Sequence, residues 1–319
     1  MGETLLTTDY FTVKKMAEGV FAAIAIPGRG AWSNAGIVDL GTELLVFDSF
    51  NTPSAARELK KQAENLTGKK VKYLVNSHYH GDHVFGNQVF EEAVIISTAL
   101  TQEWFRDKNV IRDIDTEMIE TQQYINQLEF QIYNEKETVV KESLENQYME
   151  MAKLHKELPS LEMVVPTVLF EKKLVISGAE RSVELYCFGG AHSPSDAFLY
   201  APMGKVAFMG DLVTENLHLP IFHPEEFLRI LLEVKTMDIE QIMPGHGDVG
   251  TMKQVDRMTE YLTMLRKAVI DALSYNVSLD DFVSNFVIPD GFRNWKGTQG
   301  IKRNLESVYN FYSLKQKEF

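Results

Sequence analysis

A chain of 319 residues, 45% hydrophobic and 24% charged, has the length of one large domain with an appendage and the composition of an ordinary globular protein. Its formal net charge of −13, from 32 basic and 45 acidic residues, is the wrong sign for a nucleic-acid surface or an anionic membrane face. The lone cysteine, Cys187, excludes an internal disulfide framework, and no apolar run approaches the roughly 20 residues of a membrane span.

The first hundred residues alternate short apolar runs with turns. Met1 to Tyr10 lacks the basic and apolar regions of a signal peptide, so the expected location is cytoplasmic. Val20 to Ile26, Gly36 to Leu40 and Leu44 to Asp48 are predicted strands, separated by Pro27-Gly28 and Gly41. Pro53 opens a predicted helix to about Leu66, with Ala55, Ala56, Leu59 and Ala63 on one face. Val71 to Asn76 and Val94 to Ser97 are further strands, the first of which runs directly into His78-Tyr79-His80.

From about Thr98 to Leu158 glycine and proline vanish. Ile114, Met118, Tyr124, Leu128 and Ile132 recur every three to four residues among charges, which predicts two long amphipathic helices closed by Pro159. Strands resume at Val168 to Phe170, Leu174 to Ile176, Val183 to Phe188, Phe198 to Tyr200 and Val206 to Met209. A helix is expected from Pro224 to about Met237. Ile242-Met243 then leads into Pro244-Gly245-His246-Gly247, and the tail from Met252 reads as mostly helical.

The densest chemical signal is His78-Tyr79-His80-Gly81-Asp82-His83. Three imidazoles and a carboxylate fall within six residues at a strand end, where a loop can turn them toward one point. With histidine at about one residue in forty, such a cluster arises by composition with a chance on the order of 10⁻⁴. Imidazole and carboxylate are the donors that zinc, iron and manganese accept. His192, Asp211 and His246 have the same setting, each after a strand and beside or near glycine, which permits a tight turn. Five of the eight histidines lie in these motifs; the others are His155, His218 and His223.

The ordered set His-x-His-x-Asp-His, then His, Asp and His, resembles the metallo-β-lactamase superfamily from about Val20 to Gly250, apart from the helical block. The resemblance implies an α/β fold, an αββα sandwich of two β/α halves, here with a long helical insertion and a helical C-terminal tail. It implies a catalytic domain over 1–97 and 159–251, an insertion at 98–158 between the halves, and an extension at 252–319. It implies that His78, His80 and His192 hold one metal, that Asp82, His83 and His246 hold a second, and that Asp211 bridges them. It also implies that Asp48 braces the histidine loop.

Such a site with two Zn2+ per chain, or with Fe or Mn in their place, implies a hydrolase. Two divalent ions about 3.5–4 Å apart activate a shared water as hydroxide, which attacks a carbonyl of a small ester, thioester, lactone or amide. Asp82 is then the catalytic residue that orients the nucleophile and passes on its proton. Alternatives within the fold are a mononuclear iron enzyme similar to persulfide dioxygenases, a phosphodiesterase, and a non-catalytic metal-binding module.

Departures from the family narrow the choice. Dedicated β-lactamases of the commonest zinc class carry arginine at His83, cysteine at Asp211 and lysine three residues on, where this chain has Thr214. Acyl-homoserine lactonases share all seven ligands but carry a tyrosine near Thr214. Glyoxalase II shares the ligands and a loop similar to Gly86-Asn87, and takes cationic contacts from its C-terminal region, where this chain has Lys296, Lys302 and Arg303. Trp32, His218, Phe222 and His223 are candidates for the wall of a small-molecule pocket. Asn34 reads as a turn residue, Cys187 as an inert core thiol and His155 as a solvated helix residue. The insertion is expected to pack on its own domain, to form a homodimer interface, or to cover the site as a lid.

Overall fold

The computed structural model describes residues 2–111 and 113–317. Met1, Arg112, Glu318 and Phe319, which the sequence reading assigns to the N-terminal region, the helical block and the tail, lie outside the described residues.

Eight strands form the first sheet in simple chain order: Glu3–Thr7 (β1), Phe11–Ala17 (β2), Val20–Ala25 (β3), Ala35–Asp39 (β4), Leu44–Phe47 (β5), Val71–Val75 (β6), Val94–Thr98 (β7) and Val168–Phe170 (β8). Neighbours from β1 to β5 are antiparallel; those from β5 to β8 are parallel. Parallel neighbours need a crossover, and helices supply it. Pro53–Thr67 (α1) joins β5 to β6, and the short Gly81–Val84 (α2) lies between β6 and β7. Thr52 caps α1 through its hydroxyl on the Ala55 N–H, and Gly68 ends it at φ 71°.

The sequence reading lacks β1 and β2. In β2 a register shift between Lys15 and Ala17 places Phe11, Val13 and Met16 inward, which breaks the strict alternation that marks a strand. β1 is largely exposed and carries no apolar pattern to read.

The connection from β7 to β8 is the helical block. It holds three helices, Ala99–Lys108 (α3), Ile114–Asn134 (α4) and Thr138–Glu157 (α5), where the sequence reading has two. The break before α4 contains neither glycine nor proline; the Asp113 side chain caps the new helix on the Thr116 N–H. Because β8 then pairs with β7, the block sits inside the first half rather than between the halves. Leu154, Leu158 and Leu161 pack with Ile114, Met118, Met151 and Phe85, so the apolar stripe meets this chain's own core beside the histidine loop.

Lys173–Ser177 (β9), Ser182–Cys187 (β10), Ala197–Ala201 (β11), Val206–Phe208 (β12) and Gln241–Met243 (β13) form the second sheet, in order β13-β12-β11-β10-β9. Pro224–Val234 (α6) makes the crossover to β13, the one strand of this sheet that runs parallel to its neighbour. Met252–Ser274 (α7), Leu279–Asn285 (α8) and Lys302–Lys317 (α9) follow.

Three apolar cores define the layers. Ile37, Val46, Ala55 and Leu59 join the first sheet to α1. Val38, Phe47, Leu185 and Phe208 join the two sheets. Phe198, Met209, Ile230, Val255, Leu262 and Leu305 join the second sheet to α6, α7 and α9. The result is the expected αββα sandwich, with the helical C-terminal region packed on its outer face. A Cβ on Gly36 would lie 2.2 Å from the Phe208 ring, so the sheets close on each other there only over glycine. Among the described residues, no helix is long and apolar enough to cross a membrane.

Candidate metal centre

Strands from both sheets end on one rim, and each end delivers a polar residue. β5 leads to Asp48, β6 to His78 and His80, the loop after β10 to His192, β12 to Asp211 and β13 to His246. The α2 turn brings Asp82 and His83 back to the same point. The seven residues fall into two groups: His78, His80, His192 and Asp211, and Asp82, His83 and His246; within each, the donor atoms lie within 4.8 Å of one another.

In the first group His80 Nδ1 lies 3.0 Å from both His78 Nε2 and His192 Nε2, and Asp211 Oδ2 lies 3.2 Å from His192 Nε2. The far nitrogens are already engaged: His78 Nδ1 meets the Ser77 hydroxyl at 2.9 Å, and His192 Nδ1 donates to the Pro220 carbonyl at 2.8 Å. Those contacts leave lone pairs on Nε2 of both rings. Burial, with the neighbouring imidazoles His83 and His80, pushes His78 well below its ordinary range, and burial with His192 beside it takes His80 to about 3. Neutral imidazoles with converging lone pairs are what a cation requires.

In the second group His246 Nε2 lies 3.3 Å from Asp82 Oδ2 and 3.4 Å from Asp211 Oδ1, and His83 Nε2 lies 3.4 Å from the same Asp211 oxygen. His83 donates from Nδ1 to Asp48, and His246 from Nδ1 to the Trp32 carbonyl. Burial disfavours both charged rings, but the carboxylates outweigh it. Asp211, Asp82 and Asp48 hold His83 well above its usual value, and Asp211 with Asp82 raises His246 to about 10. Burial likewise pushes the two acids up. Its effect is overcome by His83 and His246 at Asp82, which lies below its ordinary value, and by the same two rings with His192 at Asp211, which lies well below.

Metal ions fit this donor set. His83 Nε2 and Asp211 Oδ1 are buried without any hydrogen-bond partner, and both point into the second group. Among the described residues Asp211 alone addresses both groups, Oδ2 toward the first and Oδ1 toward the second. Gly245 makes room for it, since a Cβ there would stand 2.1 Å from Asp211 Oδ1.

Several supporting residues carry little sequence signal. Asp48 accepts from the Ser77 N–H and hydroxyl at 2.8 Å each. Asp196 accepts the N–H groups of Ala191, His192 and Ser193, fixing the His192 loop. Asn34, read from sequence as a turn residue, is buried; its amide donates to Pro244 and Gly247 on either side of His246. Trp32 and Asp48 hold left-handed backbone at φ 63° and 61°, conformations that few non-glycine residues adopt and that mark a strained rim.

The candidates for a pocket wall separate. Phe222 is half-exposed and follows the His192 loop, its N–H bonded to Ala191; its ring lies 6.4 Å from Trp104, which lies 5.4 Å from Tyr79 beside His80. His218 turns to Tyr261 and Trp295 of the C-terminal region, and His223 caps α6 with its ring against Phe311. Trp32 contributes its carbonyl. Cys187 is buried, and burial pushes its thiol up, as suits an inert core residue.

An αββα sandwich with seven histidines and aspartates gathered at its rim is a hydrolase-type fold carrying a cluster able to hold metal. The family model of the metallo-beta-lactamase superfamily matches residues 32–246, more than half of the sequence, and the chain belongs to that superfamily. Similar solved structures include the stereoselective inverting sec-alkylsulfatase Pisa1 from Pseudomonas sp., with a TM-score of 0.69 and 14% identity over 94% of this chain and 50% of that one. A double mutant of the sec-alkylsulfatase PisA1 matches with a TM-score of 0.68 and 15% identity over the same shares. The chain thus spans half the length of those enzymes, and the likeness is one of fold.

Proposed function

We propose that this protein is a dinuclear metal-dependent hydrolase of a small ester, thioester, lactone or amide. The observation that carries the reading is Asp211, whose two oxygens divide between two histidine groups while one of them, and His83 Nε2, lies buried without a partner. Zinc is the first expectation for such donors, and iron and manganese accept the same set. Divalent ions held there supply an activated water near neutral pH and polarise a carbonyl oxygen.

The chain's own residues set the geometry. His78, His80 and His192 would hold the first ion, Asp82, His83 and His246 the second, and Asp211 both. The Asp82 side chain is 17% exposed against 3% for Asp211, so Asp82 is the carboxylate open to a reacting water. It would orient that water and take its proton. Tyr79, Trp104 and Phe222 would lie against the apolar part of the substrate.

Elemental analysis of the purified protein, followed by assays on ester, thioester, lactone, amide and sec-alkyl sulfate substrates, tests the proposal. About two zinc per chain with hydrolysis of a carbonyl substrate supports it. A single iron with oxygen consumption on a persulfide, or no metal even after reconstitution, overturns it. Cleavage confined to the sulfate ester would replace the carbonyl assignment.

A further inference from the structure

Glu150 lies in the middle of α5 and is 0% exposed. It makes no ion pair among the described contacts. Its carboxylate instead takes backbone N–H groups from the loop before Trp32: Gly30 to Oε2 at 2.8 Å and Arg29 to Oε1 at 3.1 Å. Gly28 and Gly30 have φ of 73° and 104°, which turns successive amides toward one oxygen pair.

The same loop carries the support of the second metal group. The Trp32 carbonyl accepts from His246, and the Ser33 hydroxyl donates to the Asp82 carbonyl at 2.5 Å. The Asn34 N–H donates to Gly245 at 2.7 Å, and its side chain spans Pro244 and Gly247. Residues 32–34 therefore touch both Asp82 and the His246 loop. Residues 28–30, just before them, are fastened from outside by Glu150 and by the Thr52 hydroxyl on the Gly30 carbonyl at 2.9 Å.

We propose that Glu150 is a positioning residue: a latch by which the helical insertion holds the 28–34 loop and, through it, sets Asp82 and His246 for the second metal. The proposal rests on metal binding as proposed above. It gives the insertion a role that neither a detached lid nor a dimer element would have.

The electrostatics give the latch a direction with pH. Burial raises the Glu150 carboxyl to about 7, against the opposing pull of the Gly30, Gly28 and Arg29 amides, and Asp82 adds a small push upward. The side chains of Arg29 and Lys153, the cations nearest along the loop and the helix, are exposed. A carboxyl released to solvent returns to its ordinary value near 4.5, so the latched state holds the proton more tightly. Latching is therefore strongest below about pH 4.5, weakens about tenfold per pH unit between there and pH 7, and levels off above pH 7.

The test compares Glu150→Ala and Glu150→Gln with the wild-type chain, using amide hydrogen exchange over residues 28–34 and competitive Zn2+ titration. Glu150→Ala is expected to raise exchange in the loop and to weaken the second zinc equivalent at least tenfold while leaving the first unchanged. Glu150→Gln keeps one acceptor oxygen and removes the titration; it is expected to retain part of the loop protection and zinc affinity while losing the pH dependence of loop protection between pH 5 and 7.5. A folded Glu150→Ala variant with wild-type exchange and two wild-type zinc affinities overturns the latch. Should that variant fail to fold, wild-type loop protection, corrected for intrinsic exchange, decides: a fall between pH 5 and 7 supports the latch and a constant value over that range overturns it. Absence of zinc uptake by the wild type would overturn the proposed function, while the exchange measurement, which needs no metal, still decides the latch.

Discussion

The Asp48 carboxylate accepts the Nδ1 proton of His83 at 2.8 Å, and the two side chains are 1% and 0% exposed. The contact fixes which nitrogen of His83 faces the second group. Asp48→Asn keeps the shape, and asparagine tolerates the left-handed backbone at this position. It loses the charge that makes His83 a strong donor. We expect zinc affinity of the second site to fall about 10–100-fold, read by competition with a chromophoric chelator. Equal affinities would remove Asp48 from metal binding.

Asp82→Asn tests proton transfer. The amide can still occupy the space but cannot accept the proton of a reacting water. A fall in kcat of about 10²–10⁴ is expected, with KM changed much less. A variant with wild-type kcat would show that another group takes the proton.

Zinc should stabilise the fold. Seven ligand-type side chains crowd together with two buried polar atoms unpaired, and ligand present at about 1,000 times its Kd adds about 4 kcal/mol. Calorimetric scans with chelator and with excess zinc should show a clear rise in Tm on loading. Coincident scans would contradict a metal site formed by the folded chain.

His218 predicts a pH dependence away from the metals. Burial lowers its pKa to about 4. Asn304 donates to the Tyr261 hydroxyl, which is left to donate to His218 Nδ1, so the neutral ring fits. A folded-state pKa below the unfolded value means stability present above about pH 6.5 and lost as pH falls toward 4. The Tm of His218→Gln should fall less steeply than that of the wild type over that window. Parallel curves would place the acid sensitivity elsewhere.

Phe222 is 52% exposed beside the His192 loop. Phe222→Ala should raise KM about tenfold for esters with a bulky apolar group and leave small acetate esters nearly unchanged. Equal effects on both would show that Phe222 supports the loop and does not contact substrate.

Most strands and the strand-end histidines and aspartates were legible in the sequence because they are written locally, and the sandwich came from the resemblance that their ordered set carries. Strand alternation, the α1 stripe of Ala55, Ala56, Leu59 and Ala63, and strand-end histidines beside glycine need no knowledge of distant neighbours. The sequence did not show β2, whose bulge breaks the alternation, or the third helix of the insertion, whose boundary at Asp113 lacks glycine and proline. Beyond Asp48, which the resemblance implied, it did not show the supporting residues. Asn34 and His246 are separated by more than two hundred positions, and Glu150 and Gly30 by 120, so their hydrogen bonds exist only once the chain has folded. Burial is also what raises Glu150 and lowers His218, and no pattern of neighbours along the chain encodes it. Ligand identity is a property of residue type and spacing; the position, tautomer and charge of each ligand belong to the tertiary structure, because they depend on which distant backbone groups and carboxylates surround it.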